Sequence, residues 1–333
     1  MSDTRKSIPR FYLLDLSRGL AAFGIIIFHL SGNLKPLNAL YILVDFFFVL
    51  SGFVLFEQIP KKSNLSEFKK FMKKRITRLV PTAWLAIIVS YLTYSIFQFT
   101  HILGINDKLN INGFTFIAAL LFLQIIFPIS NVLLVPMWSL SVEMFMNILV
   151  ALIGATKTKL VIIVLISFTL LSFAVLISTE VNITSGWIAF LRGLFGFSCG
   201  LITKILYNFG NLFFRKQILF SFLIVGTIFY LVSINDDFLL LVAPSMSLLI
   251  FSISSIEVQN SNLKAFCTQC GKFSYGVYLW HFPIHYFVLA LLPIFNERFN
   301  VYLVKIVELC ITVSISLALT WIGHRFFTRI NLP

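Results

Sequence analysis

The chain has 333 residues, of which 59% are hydrophobic and only 12% are charged, whereas an average soluble protein has roughly 25% charged residues. A soluble core of this size does not need that much apolar surface, but a chain whose solvent is lipid does. The net charge of +13 does not indicate nucleic-acid binding, because the basic residues lie between apolar blocks, as the positive-inside rule describes.

Eleven apolar segments follow one another, most with the roughly 17–25 residues that a helix needs to cross about 30 Å of hydrocarbon. Without an internal repeat or a polar stretch long enough for a second domain, residues 1–333 are expected to form one membrane domain, an all-α polytopic helical bundle. The segments are 11–31, 39–57, 79–99, 113–129, 136–155, 160–178, 186–206, 216–234, 237–256, 273–294 and 300–324.

The first segment follows a basic stretch, as in a signal peptide, but it is long and no small-residue cleavage site follows it. We therefore predict an uncleaved first membrane helix. The lysines and arginines between segments place most basic residues on one side if segment 113–129 does not cross the membrane. This arrangement predicts about ten transmembrane helices with both termini in the cytoplasm of a bacterium, in its plasma (inner) membrane.

The four cysteines do not indicate a metal site. Cys267 and Cys270 form a CxxC pair, but a structural zinc ion usually needs four ligands, and no second pair lies nearby. We read these residues as reduced thiols at the entrance of a helix and predict no metal.

Ionisable residues within apolar segments cost at least about 2.5–3.5 kcal/mol each at the bilayer centre, and they are functional candidates by default. They are few, which makes each one informative. They are Asp15, Arg18, His29, Asp45, Glu143, Arg192, His281, His285, Lys305, Glu308 and His324.

Arg18 and His29 are eleven residues apart in the first segment. Eleven steps of about 100° bring them to one helix face, about 16 Å apart along the axis. One helix therefore carries an anion-binding guanidinium group near the cytoplasmic edge and a titratable imidazole in the outer half. Alternatively, Arg18 anchors the helix and pairs with Asp15, and His29 only makes an interhelical hydrogen bond.

Two carboxylates are candidate partners for His29. Asp45 lies at a similar depth in the second segment and could orient the imidazole, as carboxylates do in catalytic triads. Glu143 enters the fifth segment from the outside and is a candidate acid or base at that same depth. The alternatives are that Asp45 pairs with another helix and that Glu143 pairs with Arg192.

Arg75 and Arg78 are one helical turn apart at the entrance to the third segment. Two guanidinium groups on one face suit bidentate binding of phosphate. The positive-inside rule alone is the alternative, since the preceding loop carries six other basic residues. In segment 186–206, Gly196 and Gly200 form a GxxxG pair that indicates close helix packing.

Four further residues are predicted to bind substrate. Arg192 could face the acceptor or stabilise an oxyanion. Trp138 lies just before Glu143, and Tyr275 and His281 lie in an aromatic-rich stretch. An aromatic belt at the membrane interface would explain that stretch equally well, although His281 is about eight residues inside its segment.

Taken together, six stretches resemble the bacterial acyltransferase family 3, membrane-bound O-acyltransferases of surface carbohydrates. They follow one another in the family's order and span residues 11 to about 285. They are LDLSRGLAAFGIIIFHL, VDFFFVLSGF, KKRITRLVPTAW, MWSLSVEMF, LRGLFGFSCG and FSYGVYLWHFPI.

The resemblance implies a bundle of about ten helices and transfer of an acyl group, usually acetyl, from cytoplasmic acyl-CoA to a sugar hydroxyl. The acceptor would be exopolysaccharide, capsule, O-antigen or peptidoglycan, as a lipid-linked unit or as finished polymer, and no cofactor would stay bound. His29 would be the catalytic histidine, as general base or transient acyl carrier. Arg18, Arg75 and Arg78 would bind the donor, with Glu143 as the family's glutamate.

Two features depart from the family pattern. The last segment ends with His324 where the family often has a glutamate, and we expect no hydrolase-like outer domain of the kind that larger members carry. A separate partner or a one-step transfer is then implied. The rival class is a transporter or flippase, but the sequence lacks the internal symmetry that transporters often show.

Overall fold

The computed structural model describes residues 10–31, 34–60, 64–100, 112–124, 126, 134–153, 165–166, 168–173, 186–210, 215–291 and 301–329. Within these ranges the chain is predominantly helical and contains no β-strand, as its apolar segments predict. Most of segment 160–178 lies outside the described residues.

The described residues form ten α-helices and three short 3-10 helices. The 3-10 helices are Leu37–Ile42, Phe56–Gln58 and Asp236–Leu241. The α-helices are α1 (Tyr12–Ser31), α2 (Leu43–Leu55), α3 (Leu65–Thr100), α4 (Gly113–Leu120), α5 (Met137–Ile153), α6 (Gly186–Asn208), α7 (Arg215–Ile234), α8 (Val242–Ser254), α9 (Ser261–Leu291) and α10 (Val301–Arg329).

Six helical stretches in the described part are long and apolar enough to cross a membrane, and two shorter apolar helices accompany them. The chain is therefore a multi-pass membrane protein. The count of ten crossings and the side on which the termini lie stay predictions. The six are Tyr12–Ser31, Leu37–Gln58, Leu65–Phe97, Ile188–Asn208, Gln217–Ile234 and Leu303–Phe326.

Helix α4 begins as its sequence predicts but ends early. The side chain of Asn112 accepts a hydrogen bond from the backbone of Thr115 and caps the helix, and α4 ends at Leu120 after eight residues. A helix of that length extends only about 12 Å, so α4 does not cross a bilayer by itself.

Helix α3 begins at Leu65 and not at residue 79, so much of the basic loop that the sequence suggests is helical. No glycine or proline interrupts residues 65–80. Phe71 and Met72 are buried, while Lys69 and Lys70 are exposed. This part of α3 is therefore amphipathic and packs one apolar stripe on the bundle.

Helix α1 lies inside the bundle, where it packs chiefly on α9 and also contacts α2 and α10. Helices α2 and α6 approach each other closely. A Cβ atom on Gly52 would overlap the backbone carbonyl of Phe197, and one on Gly200 would overlap that of Val49. The close helix packing that the sequence predicts at Gly200 is confirmed.

Helix α9 is 31 residues long, but it is not among the six apolar spans. Its polar side chains include His281, which is fully buried. Because α1, α3 and α10 all pack against α9, protein rather than lipid surrounds these groups. The fold thereby places an imidazole on α9 opposite the imidazole on α1.

Candidate active site

One pocket lies among α1, α2, α3, α5 and α9. It brings together five of the residues that the sequence singles out, and we call it the arginine pocket. These residues are Arg18, Arg75, Arg78, Glu143 and Tyr275. Apolar side chains of α2 and α3, such as Phe47 and Leu79, complete its wall.

Arg75 and Arg78 reach the pocket from adjacent turns of α3, as their spacing predicts. Arg75 is only 5% exposed, and its Nη2 donates a hydrogen bond of 2.6 Å to Oε1 of Gln58. The ring of Phe71 lies 5.4 Å from the guanidinium carbon. Arg75 is therefore held in place by neutral groups, and its charge stays available to a ligand.

Arg18 does not pair with Asp15, although they are three residues apart. Asp15 instead accepts a hydrogen bond of 2.9 Å from Nε of Arg10. Nε of Arg18 is buried and makes no hydrogen bond within the described part of the chain. A buried donor without a partner is costly, and Arg18 lines the pocket, so this arrangement favours an anion from outside the protein.

Glu143 lies in the arginine pocket. The expectation that it lies at the depth of His29 is therefore corrected. Among the described residues, its side chain has one hydrogen-bond contact, a long one of 3.5 Å from the hydroxyl of Ser51. Because Ser51 is six residues beyond Asp45 on α2, Glu143 sits more than a helical turn away from the level at which Asp45 lies. A direct role of Glu143 on the imidazole is not supported by this placement.

His29 contacts His281 of α9, and these residues form the centre of what we call the histidine cluster: His29, His281, His285 and Glu308. The distance from Nδ1 of His29 to Nε2 of His281 is 3.2 Å, and the ring centroids are 5.0 Å apart. Nδ1 of His29 also lies 3.0 Å from the carbonyl oxygen of Ile25. His281, predicted to bind substrate, is thus a direct partner of the predicted catalytic histidine.

The rest of the cluster comes from α9 and α10, and the sequence assigned it no role. Nδ1 of His285 and Oε1 of Glu308 are 2.7 Å apart. Nζ of Lys305 donates a hydrogen bond of 2.8 Å to the carbonyl of Leu30 at the end of α1. The available signals were the four-residue spacing of His281 and His285, which places them on one helix face, and a glutamate within an apolar segment.

Asp45 was expected to orient the imidazole of His29, but it binds Arg192 instead. Its two oxygens accept hydrogen bonds of 2.9 and 2.5 Å from Nε and Nη2 of Arg192. Both side chains are almost completely buried. A carboxylate bound in this bidentate way is already neutralised by its partner, and it joins α2 to α6.

Arg192 and Trp138 are likewise buried and do not form an open sugar site. The guanidinium carbon of Arg192 lies 5.6 Å from the ring centroid of Trp138 and 5.4 Å from that of Tyr41. Trp138 is 6% exposed. Both side chains thus pack within the bundle, and their role in binding the acceptor stays a prediction.

Tyr275 lines the arginine pocket, where it presents its aromatic ring. Its hydroxyl donates a hydrogen bond of 2.6 Å to the backbone carbonyl of Leu79 on α3. This bond fixes the ring and ties α9 to α3 beside the two arginines. A role in binding substrate is still compatible with this position and stays a prediction.

The arrangement divides the candidate residues between two chemical environments. The arginine pocket supplies positive charge and suits a phosphorylated ligand, whereas the histidine cluster supplies an imidazole with ordered partners. Within the ranges that the structure describes, no group of three or more His, Cys, Asp or Glu side chains could hold a metal ion.

Comparison with known proteins identifies a family over most of the chain. A family model described as "Acyltransferase domain" matches residues 11–325. "O-acetyltransferase OatA" of Staphylococcus aureus is 26% identical over 91% of this chain and 55% of its own length. "Peptidoglycan O-acetyltransferase OatA" of Listeria monocytogenes is 36% identical over 30% of this chain and 16% of its own length.

A third relative, "Protein 2 in picA locus" of Rhizobium radiobacter, is 33% identical over 45% of this chain and 85% of its own length. The chain spans about half the length of the Staphylococcus aureus relative. No solved structure matches the chain.

Proposed function

The chain belongs to the acyltransferase family that matches residues 11–325 and is an enzyme that transfers acyl groups, and on that premise we propose a donor and an acceptor. The donor is cytoplasmic acyl-CoA, with acetyl-CoA as the default. The acceptor is a hydroxyl of a cell-surface carbohydrate, such as exopolysaccharide, capsule, O-antigen or peptidoglycan. The enzyme works in the bacterial plasma membrane, with no permanently bound cofactor.

The observation that carries this proposal is the position of Arg18 and His29 on α1. Arg18 lines the arginine pocket, while His29 belongs to the histidine cluster eleven residues further along one face of the same helix. The two are about 16 Å apart along the axis. A donor that is anionic at one end and reactive at the end of a long extended arm suits this separation, and CoA thioesters have that form.

The three arginines would bind the phosphates of CoA. Guanidinium groups make strong, charge-assisted hydrogen bonds to phosphate oxygens, and those of the arginine pocket have no carboxylate ion pair within the described ranges. The phosphates therefore need not displace an existing ion pair. The pantetheine arm would then extend along α1 towards His29.

The transfer itself would take place at His29. Its imidazole accepts the proton of the acceptor hydroxyl, and the hydroxyl oxygen forms a bond to the acyl carbon. The bond from that carbon to sulfur breaks, and the leaving thiolate takes the proton from the imidazolium, so protons and charge balance. A transient acyl-imidazole is the alternative sequence at the same residue.

The test is release of CoA by purified protein supplied with acetyl-CoA and separate glycan fractions, including peptidoglycan fragments and exopolysaccharide. We expect release by the wild type that depends on one glycan fraction, no release by His29→Ala, and release by Arg78→Ala only at raised acetyl-CoA. Folded wild-type protein that neither binds acetyl-CoA nor releases CoA would overturn the proposal and favour transport of a glycan or lipid-linked substrate.

A further inference from the structure

We infer that His281 is a positioning residue for the reaction: together with the carbonyl of Ile25 it holds the proton of His29 on Nδ1, and this leaves Nε2 of His29 as the base. The inference rests on the proposed function for its catalytic meaning, but the hydrogen-bond arrangement itself is independent of it. The inference also includes Glu308, which contacts His285, the next histidine along α9 after His281.

The tautomer of His29 follows from the nature of its neighbours. Nδ1 of His29 is 3.0 Å from the carbonyl oxygen of Ile25, and a carbonyl oxygen can only accept. Nδ1 must therefore carry the proton, because otherwise two lone pairs would face each other. In the neutral ring the other nitrogen is then bare, and a bare nitrogen is what a general base needs.

The same proton sets the state of His281. Nε2 of His281 lies 3.2 Å from Nδ1 of His29, and since that position already holds a proton, Nε2 of His281 must accept. The proton of His281 is then on its own Nδ1, a buried atom that has no hydrogen-bond partner within the described ranges. Both rings are thus assigned the same tautomer, with Nδ1–H and an unprotonated Nε2.

The hydrogen bond matters most when His29 has taken the proton of the acceptor. A hydrogen bond from a charged donor is stronger than one from a neutral donor, so Nδ1–H of the imidazolium binds Nε2 of His281 more tightly than the neutral ring does. The contact thereby stabilises the state in which charge develops. It fills the place that the sequence assigned to Asp45, which the structure shows bound to Arg192.

Glu308 supplies negative charge to the same region. His285 follows His281 by one turn on α9, so the two lie on the same face, and its Nδ1 is 2.7 Å from Oε1 of Glu308. The Glu308 side chain is only 4% exposed, so water screens its charge weakly. The carboxylate of Glu308 is therefore connected to the two imidazoles only through His285.

The first test reads the tautomers without any turnover. The chain has five histidines, so two-bond proton–nitrogen spectra of protein labelled with ¹⁵N-histidine can be assigned by single substitutions. We expect His29 and His281 both in the Nδ1–H form. His29 in the Nε2–H form would overturn the inference, because His281 would then donate and no base would be available.

The second test compares two replacements of His281. His281→Gln keeps an acceptor oxygen near the position of Nε2, whereas His281→Leu removes it. We expect the Nδ1–H signal of His29 to be kept in the Gln variant and shifted in the Leu variant. Turnover should fall about 10-fold or more in the Leu variant and recover in the Gln variant. Equal signals and equal turnover in both would refute the positioning role.

The charge of Glu308 is tested with Glu308→Gln, which keeps a hydrogen bond to His285 but removes the charge. Its matched control is His324→Gln, about 24 Å further along α10. We expect Glu308→Gln to reduce turnover without changing the tautomers, and His324→Gln to keep wild-type turnover. Equal turnover in the two variants would exclude a role for the charge of Glu308. An inactive wild type with the predicted tautomers would refute the proposed function and leave the hydrogen-bond arrangement established.

Discussion

The arginine pocket and the histidine cluster differ in how their polar groups are paired. In the pocket, Arg75 is held by the neutral side chain of Gln58, and Nε of Arg18 has no partner among the described residues. In the cluster, each ring contacts another ring, a carboxylate or a carbonyl. Unpaired cations indicate a site that a ligand completes, whereas a connected network indicates groups ordered before any ligand arrives.

This contrast explains how one helix can serve two steps. Arg18 belongs to the region that is incomplete without an anion, and His29 to the region that is already ordered. Because α1 is buried against α9 and is joined to α10 by Lys305, the distance between the two regions is fixed. Substitutions in the pocket should therefore change donor binding, and substitutions in the cluster should change turnover.

The largest expected effect is that of His29→Ala. Removing a general base typically costs about 10²- to 10⁴-fold in rate, whereas the phosphates of the donor bind elsewhere. We expect turnover to be lost while the dissociation constant for acetyl-CoA, measured by calorimetry, stays near that of the wild type. If His29→Ala lost donor binding while its thermal stability stayed unchanged, the histidine cluster would also be needed to bind the donor.

The buried ion pair between Asp45 and Arg192 should affect the stability of the protein more than it affects donor binding or turnover. Asp45→Asn leaves Arg192 as a buried charge without its anion, which costs about 3–5 kcal/mol. Thermal unfolding in detergent should show this loss, and the double variant Asp45→Asn/Arg192→Gln should recover part of it. A stable Asp45→Asn protein that is inactive would instead return Asp45 to the reaction.

Arg78→Ala should weaken donor binding by about 10- to 100-fold, the value of a charged hydrogen bond of about 1.5–3 kcal/mol. Turnover at saturating acetyl-CoA should be preserved. Lys70→Ala is the matched control, since it removes one exposed positive charge from the same helix outside the pocket. Equal weakening in both variants would mean that net charge, and not the pocket, attracts the donor.

The smallest expected effect is that of Ser51→Ala. The contact from its hydroxyl to Glu143 is 3.5 Å long, at the limit of a hydrogen bond. We expect donor binding and turnover within about twofold of the wild type, because a contact of this length contributes little. A loss of about 10-fold in donor binding would show that Ser51 holds Glu143 in place when the donor is bound.

Local patterns in the sequence were sufficient for much of the fold and for part of the site. The apolar segments predicted the helices, the eleven-residue spacing predicted the shared face of Arg18 and His29, and the three-residue spacing predicted Arg75 and Arg78 at one pocket. The apolar segment 79–99 did not predict the start of α3 at Leu65, because the lysines of residues 65–78 lower the hydropathy of that part of the helix.

The sequence by itself determined that this is an all-α membrane protein of an acyltransferase family, with an arginine and a histidine on one face of its first helix. Only the tertiary structure decided the partners: Asp45 with Arg192 across 147 residues, and His29 with His281 across 252. Helical periodicity determines the face on which a side chain lies, but the packing of helices determines what that face meets. In lipid, buried polar groups must find partners, yet this requirement does not specify which helix supplies them.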